Sequence, residues 1–249
     1  MITLLGTGAS YAVPSPGCNC SICKRGFRPF AKWYRTRCSA LVESKGKKLL
    51  LDVSPDFREQ ALKHNIPRID ACLISHAHAD AIMGLSDVRA FSKENKIPVL
   101  GSSRTLKRLR ETFSYAFDAK IKTSRPNLQL HVFPKTVQWE SVRIKPLRVL
   151  HPPVLTHGFR INDLAYFPDI KKMPDETKRA LKGIRTLVLG AASDIAYKGH
   201  QNIFESIALA QELKAKKTFF THIGHRIEQL KINLPKGMKL AFDGQKIRI

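Results

Sequence analysis

The apolar run Ala71-Cys72-Leu73-Ile74 leads straight into Ser75-His76-Ala77-His78-Ala79-Asp80-Ala81. A short apolar stretch with polar borders reads as a buried strand. Two histidines one residue apart, with a carboxylate two further on, can converge on one metal-sized point where the backbone turns at a strand end. Neutral imidazole and carboxylate are donors that suit zinc, manganese or iron(II), and the small alanines between them leave room for an ion. A lone histidine beside an apolar run is usually a satisfied core residue. Two at this spacing, with an aspartate, read as ligands.

The rest of the chain reads as one domain, residues 1–249, because no Gly/Ser linker, charge block or repeat divides it. Strands are expected at 2–5, 39–43, 48–52, 71–74, 128–133, 142–149, 164–167, 186–190, 217–221 and 238–242. Helices are expected at 55–65, 84–94, 103–115, 174–182 and 202–215. Strands fill the middle of each half and helices flank them, which suggests an α/β protein with two central sheets packed together and covered by helices on both outer faces.

Charge and cysteine usage narrow the chemistry. Lys and Arg total 43 against 20 Asp and Glu, a formal +23 carried by no single tail or block. Such a field draws anions: nucleic acid, phosphorylated metabolites or an acidic surface. A generally basic surface explains it equally well, since there is no Lys/Arg-only run and no interleaved aromatic stacking motif. The N-terminus, Met-Ile-Thr-Leu-Leu-Gly-Thr-Gly, lacks the basic start and long apolar stretch of a secretion signal, and no run reaches the ~18–20 apolar residues that cross a bilayer. A cytoplasmic protein with no membrane partner is the expectation. Of five cysteines, Cys18, Cys20 and Cys23 cluster as a metal site does rather than as a disulfide framework. Cys38 and Cys72 lie in or beside strands and read as buried thiols.

In its motifs the chain resembles the metallo-β-lactamase superfamily, whose first metal motif is His-X-His-X-Asp-His at a strand end, and more narrowly the PhnP-like phosphodiesterases. Leu5-Gly6-Thr7-Gly8, the cysteine loop from Gly17 to Cys23, Arg37-Cys38-Ser39 and Leu50-Leu51-Asp52 match that pattern. So do His151 after Val149-Leu150, Asp169 after Tyr166-Phe167-Pro168, and His222 in Phe220-Thr221-His222-Ile223-Gly224-His225. The resemblance implies a four-layer αβ/βα sandwich, the metallo-β-lactamase fold. It implies two divalent ions, Mn2+ or Zn2+: one on His76, His78 and His151, the other on Asp80 and His222, with Asp169 bridging. Asp52 would support the histidine loop, and His200 would be the general acid on a rim set by the helix that Asn202 caps. A structural Zn2+ would sit on Cys18, Cys20, Cys23 and His225. Where the motif ends in histidine this chain has Ala81, so the second site loses a nitrogen ligand, and both sites are still expected to fill.

The expected activity is hydrolysis of a small cyclic or nucleotide-derived phosphodiester by metal-activated water, with Asp80 and His200 as catalytic residues. RNA or DNA processing and ester or lactone hydrolysis are alternatives on the same centre, and a non-catalytic metal- or nucleic-acid-binding protein is an alternative of another class. Nucleic acid as a partner and a homodimer stay open. His64, His131 and His157 match no ligand position, and Arg35, Arg37 and Arg89 are expected to form surface salt bridges.

Overall fold

The computed structural model describes residues 1–25, 31, 33–121, 124–230 and 232–249. Fourteen strands among these residues form two seven-stranded sheets. In chain order they are β1 (Ile2–Gly6), β2 (Ser39–Ser44), β3 (Lys47–Leu51), β4 (Ala71–Leu73), β5 (Ile97–Gly101), β6 (Leu128–Val132), β7 (Val137–Trp139), β8 (Val142–His151), β9 (Val154–Ile161), β10 (Leu164–Phe167), β11 (Thr186–Gly190), β12 (Lys217–Thr221), β13 (Met238–Leu240) and β14 (Gln245–Ile247). The first sheet runs β14-β1-β2-β3-β4-β5-β6 and the second β13-β12-β11-β10-β9-β8-β7. Both are mixed: β3 to β6 and β10 to β13 pair in parallel, and the remaining pairs are antiparallel. The helices are α1 (Phe57–Lys63), α2 (Ala79–Ile82), α3 (Ser103–Thr112), α4 (Ser114–Phe117), α5 (Asp175–Ala180), α6 (Ile203–Leu213) and α7 (His225–Gln229), with 3₁₀ turns at Cys23–Arg25 and Met83–Phe91.

Strand periodicity builds the layers. Along β3, Leu49 and Leu51 point to one face and Leu50 to the other, so alternate residues enter different cores. Leu49, Leu51, Ala71 and Leu73 meet Ile144, Phe159, Ile161 and Tyr166 between the sheets. Leu50, Cys72 and Ile74 pack under Phe57, Leu85 and Leu109 of the helices on one outer face, and Leu187, Leu189 and Phe220 pack under Ile203, Leu209 and Ala210 on the other. Three apolar interfaces define four layers, the sandwich expected from the sequence. Among the described residues no helix is long and apolar enough to cross a membrane.

Several elements differ from the sequence expectation, which held no counterpart of β5, β7, β9, β14, α2 or α7. β5 contains Pro98, which normally argues against an interior strand. β4 pairs only with Val99 and Leu100 of it, so the missing N–H falls where that ladder has not begun. β9 is unexpected altogether: Pro152-Pro153 forms the turn of a hairpin, and β8 continues to His151 to pair with β9 over eight register positions. The stretch expected as a helix from 84 is a 3₁₀ segment, and 103–115 breaks at Phe113 into α3 and α4.

Candidate metal centre

Strand ends deliver every residue of the donor cluster to one end of the sandwich. The loop after β4 carries His76 and His78 and runs into α2, which carries Asp80; β8 ends on His151; β10 is followed by Pro168 and Asp169; the loop after β11 carries His200; β12 is followed by His222. Close backbone approach holds these ends together, since a Cβ on Gly190 would lie 2.0 Å from the carbonyl oxygen of Pro168, beside Asp169. Asp52 and His222 both adopt left-handed backbone, with φ of 55° each. Non-glycine residues accept that conformation at a cost, and such positions cluster at functional sites.

The donors fall into two triads. His76, His78 and His151 form one, and Asp80, Asp169 and His222 the other, with ligand atoms within 4.8 Å of one another in each. The two abut: Asp169 Oδ1 is 3.5 Å from His222 Nδ1 and 3.8 Å from His200 Nδ1, and Asp169 also groups with His151 and His200. His200 stacks on His222 with ring centroids 4.7 Å apart and lies 4.3 Å from His151. Its own outer face meets the exposed Tyr197 ring at 6.0 Å.

Hydrogen bonds outside the triads set which nitrogens face inward. Asp52 accepts from the Ser75 N–H and from Ser75 Oγ, each at 2.8 Å. Ser75 has then given its proton away, so its Oγ, 2.8 Å from His76 Nδ1, accepts from that nitrogen and leaves His76 Nε2 with a free lone pair. His151 Nδ1 donates to the Gly199 carbonyl at 2.6 Å, which turns its Nε2 inward to 3.1 Å from His78 Nδ1. Ser10 Oγ donates to Asp80 Oδ2 at 2.7 Å, and Arg37 Nε holds the Ser10 carbonyl. None of Ser10, Ser75 or the Gly199 carbonyl was anticipated as a contributor. Only Ser75 left a signal, its adjacency to His76.

The residues fit a metal pair. His76 Nε2, Asp169 Oδ1 and both ring nitrogens of His222 are buried with no hydrogen-bond partner among the described residues, and buried polar atoms are ordinarily satisfied. Burial lowers His76 to about 3 and His200 to about 2, and lowers His151 and His222 as well, so all four rings are neutral. Burial, reinforced by Asp80, pushes Asp169 up to about 8. For Asp80 burial also acts upward, but His222 and the Ser10 hydrogen bond outweigh it and hold the group below the usual carboxylate range. Neutral imidazoles are the form that binds a metal, and an acid costly to ionise without a counter-charge is what a bound cation reverses. Ala81, where the family motif has histidine, packs into the apolar cluster beneath the first sheet's helices. The second triad thus holds three donors.

A second cluster lies at the other side of His222. Cys18, Cys20, Cys23 and His225 bring their sulfurs and a ring nitrogen within 4.8 Å of one another, and His225 Nδ1 stands 3.3 Å from both Cys18 Sγ and Cys20 Sγ. A tetrahedral zinc with ordinary Zn–S and Zn–N bonds separates such atoms by ~3.6 Å. All three thiols are free of disulfides. Burial acts to raise Cys20, but the Cys23 backbone N–H and His225 outweigh it and bring it down to about 6, a thiolate suited to a metal. The backbone already links this region to the active loop, with Ile223 N–H donating to the Thr7 carbonyl and Ala9 N–H to the Ile223 carbonyl.

Of the three arginines expected in surface salt bridges, Arg37 forms one, whereas Arg35 is buried and Arg89 bonds a backbone carbonyl. Arg35 is buried, paired with Glu228 and donating to Thr7 Oγ1. Its guanidinium replaces water as the partner of these interior groups, something composition does not reveal. Arg37 is half-buried and bonds Asp56 as well as the Ser10 carbonyl, while Arg89 donates to the Ser124 carbonyl. His64 ends α1, His131 lies in β6, and His157 lies in β9 against Phe133, all three outside both triads. Cys38 and Cys72 are buried as expected.

A model of the beta-lactamase superfamily domain matches residues 47–223, and the chain belongs to that superfamily. Within it, the chain is similar to a solved diphosphatase from the PhnP family, at 34% identity and a TM-score of 0.89, covering 99% of this chain and 95% of that one. It is 32% identical over 249 residues to an octanoyltransferase of Porphyromonas gingivalis (strain ATCC BAA-308 / W83), covering 97% of this chain but only 50% of that protein. The chain therefore spans half the length of that relative. It is 26% identical over 215 residues to the anti-Pycsar protein Apyc1 of Paenibacillus harenae, covering 80% of this chain and 88% of that protein.

Proposed function

We propose that this chain is a metal-dependent hydrolase of phosphodiesters, acting on a small cyclic or nucleotide-derived substrate. The observation that carries the reading is the pair of donor triads meeting at Asp169, with inward-facing polar atoms that find no hydrogen-bond partner among the described residues. The likeness to a diphosphatase supports phosphorus as the electrophile. His76, His78 and His151 would hold one divalent ion, Asp80 and His222 a second, and Asp169 both. Ions held there would lower the pKa of water and offset charge building on a phosphoryl oxygen.

The remaining work falls to the chain. The Asp52–Ser75 relay keeps His76 in the tautomer that binds, and Ser10 fixes Asp80 so that its other oxygen is left for the site. In this reading His200, neutral in the free protein, takes up a proton beside the anionic substrate and passes it to the leaving oxygen; it is held at the edge of the cluster by the capped start of α6, where Asn202 and Glu205 bond each other's backbone N–H. The cysteine site would hold zinc as a structural clamp between the N-terminal loop and the His222 loop.

The test is hydrolysis of bis(p-nitrophenyl) phosphate by chelated protein reloaded with Mn2+ or Zn2+. Turnover that returns with metal and is lost in Asp169→Asn supports the reading. Absence of turnover with either metal, together with salt-sensitive RNA binding, favours a non-catalytic binder and overturns it.

A further inference from the structure

A cavity of about 510 Å3 opens beside the first triad, lined by His76 and His78, by α3 and by the first residues of β9. Its size suits a nucleotide-sized ligand. From α3 come the exposed cations Arg104, Lys107 and Arg108, together with Thr105 and a single acid, Glu111. Among the described residues, neither Arg104 nor Lys107 has an ion-pair partner, and Arg108 meets only Glu111, at 3.4 Å.

These cations serve the helix poorly. Arg104 stands in the first turn, where the helix dipole disfavours positive charge and no acid offsets it. It also faces Lys107 and Arg108 at three and four residues' spacing, where like charges repel. A choice that opposes local electrostatics is expected where function requires it. From β9 comes Leu155, 48% exposed, an apolar surface next to the cations. A single scissile phosphate held at the triads would leave Arg104 and Lys107 without a counter-charge.

We propose that this cavity is a subsite for a second phosphate, so that the substrate is a nucleotide-derived phosphodiester bearing a phosphate group beyond the scissile one, its nucleoside lying on Leu155. The proposal rests on the phosphodiesterase reading and narrows its substrate class. A simple cyclic mononucleotide, with one phosphate, would leave the subsite empty.

The experiment compares the thymidine dinucleotide TpT with its 5′-phosphorylated form pTpT on the metal-loaded protein, with bis(p-nitrophenyl) phosphate as the reference substrate. The kcat/KM ratio of pTpT to TpT is expected to be ~10 or more at low salt and to fall as salt rises. In the Arg104→Gln/Lys107→Gln double variant the ratio is expected to collapse toward one. Arg110→Gln keeps it, because Arg110 lies over the Phe117 ring instead of lining the cavity. If the reference substrate is hydrolysed but the ratio is near one in the wild type, or survives the double substitution, the subsite is overturned and the phosphodiesterase reading stands. If no metal yields hydrolysis of the reference substrate, the reading itself fails and the subsite with it. An RNA strand cleaved tenfold more efficiently than pTpT overturns the two-phosphate ligand in favour of a polyanion.

Discussion

Asp52→Asn changes one atom and should reverse a proton relay. In the metal-loaded wild type, where nearby cations would keep Asp52 ionised, the carboxylate accepts from Ser75 Oγ, and Ser75 Oγ accepts from His76 Nδ1. An amide in the same position keeps its carbonyl for the Ser75 N–H, so its NH2 faces Ser75 Oγ. The hydroxyl then donates to His76 Nδ1, and the proton moves to Nε2, the nitrogen that faces the site. A ligand held in the wrong tautomer by its outer partner typically costs 10–100-fold in metal affinity, which is ~1.4–2.7 kcal/mol. The fold should tolerate the change, because asparagine also accepts the left-handed backbone found at this position. Competition with a chromophoric chelator measures the affinity. Burial also pushes Asp52 up to about 8, above its unfolded value, so its contribution to stability is complete below about pH 4 and is lost as pH rises through about 8. The variant has no such group, and its metal-free form should lose less stability between about pH 6 and pH 9. Metal affinity within twofold of wild type would refute the relay.

Three further outcomes follow from the same geometry. The Cys18→Ser/Cys20→Ser/Cys23→Ser variant should lose one zinc per chain by elemental analysis and melt at lower temperature; unchanged zinc content would reject the structural site. His200→Ala should lower kcat by ~10²–10⁴ for diesters with poor alkoxide leaving groups and much less for p-nitrophenolate; equal losses on both would remove the acid role. In metal-free protein, the lowered His76, His151, His200 and His222 cost stability as pH falls below about 6.5, whereas the raised Asp52 and Asp169 cost stability as pH rises toward about 8. Thermal melts of chelated protein should therefore peak near pH 6.5, and metal should abolish the alkaline decline; a chelated protein most stable at pH 8 would contradict this.

Much of the architecture was legible because it is written in local pattern. The alternation of Leu49, Leu50 and Leu51 announces a strand buried on both faces, and the apolar run before His76 announces a strand end. The order of His151, Asp169 and His222 along the chain, each after such a run, was enough for the family pattern to nominate them. β9 escaped because Pro152-Pro153 reads as a break, whereas it is the turn that lets β8 and β9 pair along their length. Ser10 escaped for another reason: its contact with Asp80 spans 70 residues, and no local pattern encodes it. The buried pairing of Arg35 with Glu228 is equally non-local. His225 joined the cysteines through family likeness alone, since nothing in their spacing relates a residue at 225 to one at 18.

The central claim is that Asp169 is shared between two occupied half-sites. Crystals grown after reloading with manganese, with anomalous differences collected at its absorption edge, test it most directly. Two peaks are expected to flank Asp169, one among His76, His78 and His151 and one between Asp80 and His222. Ordered density for all six side chains with no peak beside Asp169 would contradict it.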